Sequence, residues 1–231
     1  MKAGKAGVGT SSAGKVGDEG WSRPRRRRQE LIDAAAVIFS DKGYDAASIQ
    51  EIADALGILK GSVYYYIDSK QDLLFEIISE RQDHTDALVK ELRRADLDPL
   101  GRLRAFITEH VEDVMRDPVK SAVMCRDFEA LTGERRAAAL KLLDRRNRFL
   151  RQQVVDGQGA GIVCPDVDPN LALRAVTGMV SWAWQWSGGG RLKPALVGNA
   201  LSDMVLAGIT CHPRHHSAGH RALIGALPAY G

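Results

Sequence analysis

The chain has 231 residues, of which 45% are apolar and 26% are charged, the composition of an ordinary folded protein with one or two domains. Three widely spaced cysteines exclude a disulfide framework and favour a reducing cytoplasm, and the apolar runs are too short for a membrane span. The net charge of +3 conceals a strongly basic start, because residues 1–28 hold eight basic and two acidic side chains.

The N-terminal segment is expected to be a disordered arm over residues 1–22, because it is rich in Gly, Ala, Ser and Lys and has little to bury. It lacks the apolar stretch of a secretory signal. Arg25–Arg28 follows, either as a solvated charge cluster or as a contact for nucleic acid phosphates. The first helix is predicted from about residue 26 to 41, and Gly43 ends it in the left-handed conformation.

Residues 48–70 carry the most informative pattern. Ser48 and Glu51 have the spacing of a capping box, which predicts a short helix that ends at Gly57. A second short helix is predicted over about residues 60–67. A short helix that presents Lys, Ser and Tyr side chains is typical of the second helix of a helix-turn-helix, which enters the major groove of DNA. Its polar side chains are Lys60, Ser62, Tyr64 and Tyr65.

Further helices are predicted along the rest of the chain. Ser69 with Asp72 starts a long helix. Three Asp-Pro pairs start later ones, since Asp caps free amides and Pro fits the first helical position. Another long helix is predicted over residues 134–156, with a glycine-rich connector at residues 157–161. The pairs are Asp98-Pro99, Asp117-Pro118 and Asp168-Pro169.

The last two predicted helices are the most apolar. Residues 171–186 are apolar on nearly every side, and the final helix has an unbroken apolar stripe, so one small body cannot cover both. A self-complementary dimer interface accounts for the excess. Residues 211–231 are predicted to be a flexible tail, whose Cys and His spacing matches no defined metal site. The predicted dimer residues are Met179, Val197, Leu201, Met204 and Val205.

Together these elements predict an all-α protein of about nine helices, with a helix-turn-helix head and a helical body. The head is predicted to span residues 23–70. The ligand-binding and dimerisation body is predicted to span residues 71–210.

The segment from Arg28 to Ile78 resembles the DNA-binding domain of the TetR family of bacterial regulators. The sequence departs from the family at three positions. Leu59 stands where the family often has a Ser or Thr cap, Tyr66 where it often has a His, and Ile67 where it often has a Phe. The departures at Leu59 and Tyr66 affect base readout. The resemblance implies a dimer held by the last two helices and a body pocket whose ligand moves the heads apart. The matching runs are Ala34-Ala35, Phe39, Lys42-Gly43-Tyr44, Ser48-Ile49, Ile52-Ala53, Leu56-Gly57-Ile58, Gly61–Ile67, Ser69-Lys70 and Leu73-Leu74. The implied DNA contacts are Arg25, Arg26, Ser48, Lys60, Gly61, Ser62, Tyr64, Tyr65 and Lys70.

The C-terminal half, over residues 166–192, is similar to family members that sense acyl-CoA thioesters. A CoA thioester needs a cation for its phosphates and an apolar slot for its acyl chain. Arg126 or Arg146 can supply that cation, or can form an internal ion pair instead. Trp182 and Trp186 share a helix face, and the alternative for them and for His110 is an ordinary place in the core. The candidate ligand residues are His110, Arg126, Arg146, Asn147, Trp182 and Trp186.

The sequence thus favours a ligand-controlled repressor that binds a palindromic operator as a dimer and is released by a small apolar or acyl-CoA effector. The alternative is a DNA-binding protein without a small-molecule ligand, which is architectural or controlled by a protein partner. A C-terminal body with a tightly packed core favours this alternative, and a body with an internal cavity of roughly a few hundred Å³ favours the ligand sensor. An enzyme is disfavoured, since there is no metal-ligand pair, nucleophile elbow or phosphate loop. No cofactor or metal is expected.

Overall fold

The computed structural model describes residues 19–187 and 192–210, with side chains from residue 25 onwards. Within these ranges the chain forms nine α-helices, two 3₁₀ turns and no strand, which confirms the predicted all-α class. None of the helices described there is long and apolar enough to cross a membrane. The helices are α1 (Glu19–Lys42), α2 (Ile49–Ala55), α3 (Lys60–Val63), α4 (Lys70–Arg94), α5 (Pro99–Arg116), α6 (Pro118–Asp127), α7 (Gly133–Gly159), α8 (Pro169–Ser181) and α9 (Pro194–Ile209), with 3₁₀ turns at Phe128–Ala130 and Ala183–Trp186.

The first helix starts earlier than the sequence indicated. α1 begins at Glu19, inside the segment predicted to be disordered, while residues 1–18 and the predicted tail at 211–231 lie outside the described part. Arg26 and Arg27 pair with Glu30 at 3.3 and 2.6 Å, and ion pairs at this spacing support a helix. α1 ends as predicted, because Gly43 has a φ of +86°.

Three other predicted boundaries are wrong. α3 is one turn long and does not reach residue 67. α7 continues into the predicted connector and ends at Gly159, because Gly157 serves close packing rather than a turn: a Cβ there would lie 2.5 Å from Val163 Cγ2. α8 ends at Ser181, so the tryptophan-rich segment does not continue the helix but forms a 3₁₀ turn.

The three Asp-Pro helix starts are confirmed. In each case the aspartate side chain accepts a hydrogen bond from the amide three residues later, which satisfies a donor that the helix cannot. Asp98, Asp117 and Asp168 accept from the amides of Gly101, Lys120 and Leu171 at 2.6, 3.1 and 2.8 Å.

Two apolar cores divide the described part of the chain. The head core joins α1, α2, α3 and the first half of α4, with Phe39 and Ile52 fully buried, and it also takes in Val123 of α6, Leu131, and Ala139 of α7. The body core joins the second half of α4 with α5, α7, α8 and α9 around Phe106 and Phe149. The head core extends along α4 to Ile78, beyond the predicted boundary at residue 70. α4 is therefore shared, and a displacement of its body half reaches the head.

Candidate DNA-binding surface, dimer face and effector cavity

α3 is anchored on one side and open to solvent on the other. Val63 is fully buried in the head core. Tyr65 is 87% exposed and Tyr64 is 49% exposed, and Lys60 is exposed beside them. A helix of four residues cannot stabilise itself, so its anchoring in the core holds it in place. The result is a short helix in a fixed position, whose exposed lysine ammonium and tyrosine hydroxyl groups can bind phosphates and base edges.

Leu59 adds an apolar side chain to this surface. It occupies the N-cap position of α3, makes no capping hydrogen bond with its side chain, and is 80% exposed. An apolar group beside Lys60 and Tyr65 suits the methyl group of thymine. The sequence marked Leu59 as a departure from the family, and its exposure makes it a candidate for base readout.

α2 is fixed at its start by the predicted capping box, which is confirmed. The Ser48 hydroxyl accepts from the Glu51 amide at 3.3 Å and donates to the Glu51 carboxylate at 2.8 Å. Hydrogen bonds from Lys42 and Ser48 lower the pKa of Glu51 to about 2, so the cap stays charged at physiological pH. Ser48 is exposed, but its hydroxyl is shared with the cap.

The other predicted DNA contacts lie at the surface. Arg25 and Arg26 are exposed, and they belong to helix α1. Ser62 is half-buried on α3. A Cβ at Gly61 would meet no atom within 4 Å in the subunit, which leaves room for a DNA backbone to approach.

Lys70, by contrast, is turned into the head and has a structural role there, while its DNA contact stays a prediction. Its Nζ donates to the carbonyl oxygens of Tyr44 and Ala47 at 2.7 and 2.8 Å and lies 4.2 Å from the centre of the Tyr44 ring. The turn between α1 and α2 has carbonyls that no helix satisfies, and these attract the ammonium group.

Lys120 on α6 ties the body to the head. It bridges Asp33 of α1 at 2.7 Å and Glu80 of α4 at 2.6 Å. Burial lowers the pKa of Lys120, but its hydrogen bonds to the two carboxylates outweigh this effect and leave the pKa raised. The three helices are therefore held together by one charged group.

Arg126 makes a second link from α6 to the head. Its Nη2 donates to the carbonyl oxygens of Phe39 and Ser40 at 3.1 and 2.5 Å. These groups form the C-terminal end of α1, which is electronegative and attracts a cation. The structure thus places Arg126 at a helix end, not in a ligand pocket as predicted.

The predicted dimer residues lie on two different faces. Val197, Leu201 and Val205 are buried inside the subunit, where α9 packs on α5, and Met179 is partly buried against the same core. Met204 is 66% exposed. α9 is apolar on both sides, so the sequence pattern does not show which stripe faces α5, and the dimer contacts stay a prediction.

A second apolar stripe remains exposed on α8 and α9. A Cβ at Gly178 or Gly208 would meet nothing within 4 Å in the subunit, so a second helix can approach both closely. An apolar face on two helices is the surface that a symmetric homodimer buries. The exposed residues are Leu171, Ala175, Gly178 and Trp182 on or next to α8, and Leu196, Ala200, Met204 and Gly208 on α9.

Trp182 and Trp186 lie at the surface of the subunit, and their predicted ligand contacts stay a prediction. They are 51% and 40% exposed. Trp184 stacks on Trp182 with ring centres 6.1 Å apart and packs against the body core. The 3₁₀ turn, which the sequence pattern did not show, changes the direction of these rings relative to a continuous helix.

A small cavity lies inside the body between α4, α6 and α7. Its volume is about 10 Å³, about the room that one water needs and far below the roughly 300–1,000 Å³ of pockets for drug-sized ligands. A ligand of any size would therefore have to widen it. Gln82 is buried there, with Nε2 donating to the Ala139 carbonyl and Oε1 without a partner in the described part. The lining residues are Gln82, Thr85, Asp86, Met124, Leu142, Leu143 and Arg146.

Arg146 brings a positive charge to this cavity. Burial lowers its pKa to about 10, which leaves the guanidinium charged at physiological pH. Its Nε and Nη2 lie 3.3 and 3.1 Å from Asn147 Oδ1. Two of the predicted ligand residues are therefore together, with Asn147 orienting Arg146.

His110 occupies the core position that was the alternative to a ligand contact. Its ring stacks on Phe106 with centres 5.2 Å apart, and Nδ1 is 3.5 Å from Thr85 Oγ1. Burial, together with the charges of Arg146 and Arg81, lowers its pKa to about 3. The imidazole is therefore neutral; it does not line the cavity, but it contacts Thr85, which does.

A basic groove adjoins the cavity on the outside of the body, between α4, the start of α5, and α7. Asp86 lines both spaces and pairs with Lys90 at 2.8 Å and Arg145 at 3.5 Å. Arg102 has a buried Nε without a partner among the described residues. The excess of cations suits the phosphates of a small ligand. The groove residues are the basic Lys90, Arg93, Arg102, Arg145 and Arg148 and the acidic Asp86 and Asp156.

Sequence reasoning missed this groove. Lys90 and Arg93, and likewise Arg145 and Arg148, are three residues apart and so share a helix face. That spacing could have marked two basic faces. Their meeting depends on α4 packing against α7, which no local pattern shows.

Known proteins share both parts of this architecture. Residues 31–77 match the family described as bacterial regulatory proteins, tetR family, and residues 96–209 match the tetracyclin repressor-like C-terminal domain. The chain is 31% identical to the HTH-type transcriptional repressor KstR2 of Rhodococcus jostii over 186 residues, 79% of this chain and 91% of that protein.

Solved structures agree with this match. The ketosteroid regulator KstR2 of Mycobacterium tuberculosis superposes with a TM-score of 0.75 at 25% identity, covering 80% of this chain and 96% of that one. AibR, in complex with isovaleryl coenzyme A and operator DNA, gives 0.70 at 28% identity, covering 77% and 97%. The chain belongs to the TetR family of bacterial transcriptional regulators. It is a dimeric, helix-turn-helix DNA-binding protein that responds to a small-molecule effector.

Proposed function

We propose that the protein is a repressor that holds a palindromic operator through α3 and releases it when a short-chain CoA thioester binds to the body. It acts by binding and not by catalysis, in the cytoplasm, where DNA and CoA thioesters occur together. The observation that carries the proposal is the basic groove, which shares the lining residue Asp86 with the cavity. The groove suits the phosphates of CoA, and the acyl group would enter the body by widening the cavity beside it.

The relatives support both halves of this proposal. KstR2 is a transcriptional repressor, and the AibR structure contains isovaleryl coenzyme A together with operator DNA. A five-carbon acyl group exceeds the cavity volume of about 10 Å³, so its binding must widen the cavity.

The links from α6 to the head supply a route for release. Lys120 and Arg126 both lie on α6, which also borders the cavity through Met124. A ligand that widens the cavity displaces α6 or α4, and both helices hold the head. The available energy is the difference between the ligand's affinities for the two head positions.

A titration tests the proposal. An operator is selected from random duplex DNA, and its binding is followed by fluorescence anisotropy while isovaleryl-CoA, acetyl-CoA or free CoA is added. We expect a thioester to weaken operator binding at least about tenfold, which corresponds to about 1.4 kcal/mol of coupling.

Two charge reversals on α7 provide a matched pair. Arg148→Glu alters the basic groove and should weaken the response to thioester while leaving operator affinity unchanged. Arg151→Glu makes the same change at an exposed position outside the groove and should behave as the wild type. Full operator binding with no response to any thioester would favour the alternative, a DNA-binding protein that a protein partner controls.

A further inference from the structure

The DNA-binding surface includes an aliphatic side chain that is open to solvent. Leu59 is 80% exposed, more than any other large aliphatic side chain in the described part of the chain. It lies on the head at the start of α3, whereas the exposed apolar face that suits a dimer lies on α8 and α9 of the body. Leu59 is therefore left for the partner that meets α3, which is the operator DNA.

The main chain holds Leu59 in a fixed position. Its carbonyl oxygen accepts a hydrogen bond from the Ser62 amide at 2.8 Å. On one side Ile58 packs against the head core and its amide donates to the Ala53 carbonyl at 3.0 Å, and on the other side Val63 is fully buried. Since anchored residues flank it, Leu59 presents its side chain at a defined place and loses little main-chain freedom on binding.

The chemistry of leucine limits what Leu59 can recognise on DNA. The side chain has no hydrogen-bond donor or acceptor, so it can bond neither to a phosphate nor to the polar edge of a base. The apolar group that a base presents in the major groove is the C5-methyl group of thymine. Covering the polar edge of another base without bonding to it would cost free energy. A leucine at this place therefore suits thymine.

The residues next to Leu59 leave room for such a contact. Lys60 is exposed and suits a phosphate, which positions the helix but carries no sequence information. A Cβ at Gly61 would meet no atom within 4 Å in the subunit, so a base pair can come close to the start of α3. The start of α3 thus combines a charged anchor with an apolar contact.

We propose that Leu59 contacts the C5-methyl group of one thymine in each half-site of the operator, and that this methyl group is a determinant of operator choice. The inference concerns which DNA the head selects. It does not depend on the effector, so it stands or falls separately from the proposed CoA thioester.

Replacement of thymine by deoxyuridine tests the contact, because it removes the methyl group and leaves every hydrogen-bonding group of the base in place. An operator is selected from random duplex DNA with the full-length dimer and no effector, and each symmetric pair of thymines is replaced in turn. Fluorescence anisotropy should show at least one pair whose replacement weakens binding about fifteenfold, as expected for two buried methyl groups. An operator without thymine in its half-sites, or no sensitive pair, would overturn the inference.

Variants assign the methyl contact to one side chain. Leu59→Ser removes the apolar group, and since serine is a favoured N-cap residue the variant should fold at least as well as the wild type. It should bind the thymine and deoxyuridine operators equally at the assigned pair. Leu59→Met keeps an apolar side chain and should retain the preference. A preference that persists in Leu59→Ser contradicts the inference, since another side chain would then read the methyl group.

Val37 provides a matched control. It is an aliphatic side chain of α1 that is 59% exposed and lies in the same head. Val37→Ser should retain the full preference for thymine, and thermal unfolding checks that both serine variants fold. Loss of the preference in both variants would show a general effect of polar substitution on the head, against the inference.

The protein and DNA changes together form a thermodynamic cycle. If Leu59 touches the methyl group, the two losses overlap, and Leu59→Ser with the deoxyuridine operator should bind as well as Leu59→Ser with the thymine operator. Losses that multiply would show that the side chain and the methyl group act independently, and the inference would be wrong.

Discussion

The head and the body place their polar side chains in opposite positions. In the head the core is apolar, and the polar groups of Lys60, Tyr64 and Tyr65 face solvent. In the body polar groups are inside, and six of the seven buried polar or charged side chains of the described part lie there or in the body half of α4, while Ser121 lies on α6, whose Val123 belongs to the head core. The seven are Arg81, Gln82, Thr85, His110, Ser121, Gln153 and Ser202.

This difference follows from what each region binds. DNA is a large, charged surface that approaches from outside, so the head needs a rigid apolar core and a polar exterior. A small effector is enclosed, so the body must keep polar groups inside and accept the cost of burying them. α4 belongs to both cores and makes the two regions dependent on each other.

The largest expected effect comes from breaking the contact between two bodies. Met204→Asp puts a charge into the exposed apolar face of α8 and α9 and should produce monomers. Since a monomer contacts one half-site, operator affinity should fall roughly 100-fold or more. Light scattering and anisotropy measure the two effects. Leu140→Asp, on an exposed residue of α7, should change neither, and a dimeric Met204→Asp would contradict the assignment of this face.

A pair of lysines separates stability from DNA binding within the head. Lys70→Met removes the hydrogen bonds to Tyr44 and Ala47 and should lower the free energy of unfolding by about 2 kcal/mol. Lys60→Met should leave unfolding unchanged but weaken operator binding and reduce its salt dependence by about one phosphate contact. Urea denaturation and salt titrations provide the measurements. If Lys70→Met lost DNA contact without losing stability, the structural assignment would fail.

The pH dependence of stability at His110 tests how much free energy it costs to bury a polar group inside the body. The pKa of His110 is about 3 in the folded protein against 6.5 in the unfolded chain, so between these values only the unfolded chain takes up the proton. Stability therefore falls as the pH decreases below 6.5, by about 1.4 kcal/mol per pH unit from this group. Urea denaturation at pH 7 and pH 5 should show a smaller acid loss for His110→Gln than for the wild type. An equal loss in both proteins would contradict the assignment.

The sequence predicted the head better than the body because the head depends on local rules. The capping box of Ser48, the stop at Gly43 and the short helix with Tyr64 and Tyr65 follow from a few adjacent residues. The hydrogen bonds of Lys70 could not be predicted from the sequence, because its partners lie more than twenty residues away along the chain.

The body depends on how helices pack on one another, which local patterns do not determine. Val197 and Met204 lie on the same apolar helix, yet one faces α5 and the other faces solvent. Arg126 and Arg146 had the same predicted role, but one caps α1 and the other enters the cavity. Arg126 gets its role from the packing of α6 on α1, and Arg146 gets its role from the packing of α7 on α4, which local patterns do not show.

Reciprocal binding tests the central claim most directly. Isothermal titration gives the affinity of isovaleryl-CoA for the free dimer and for the dimer saturated with operator DNA. Because coupling is reciprocal, the operator should weaken thioester binding by the same factor as the thioester weakens operator binding. Equal thioester affinities for the free and the operator-bound protein would contradict the claim that the body controls the head.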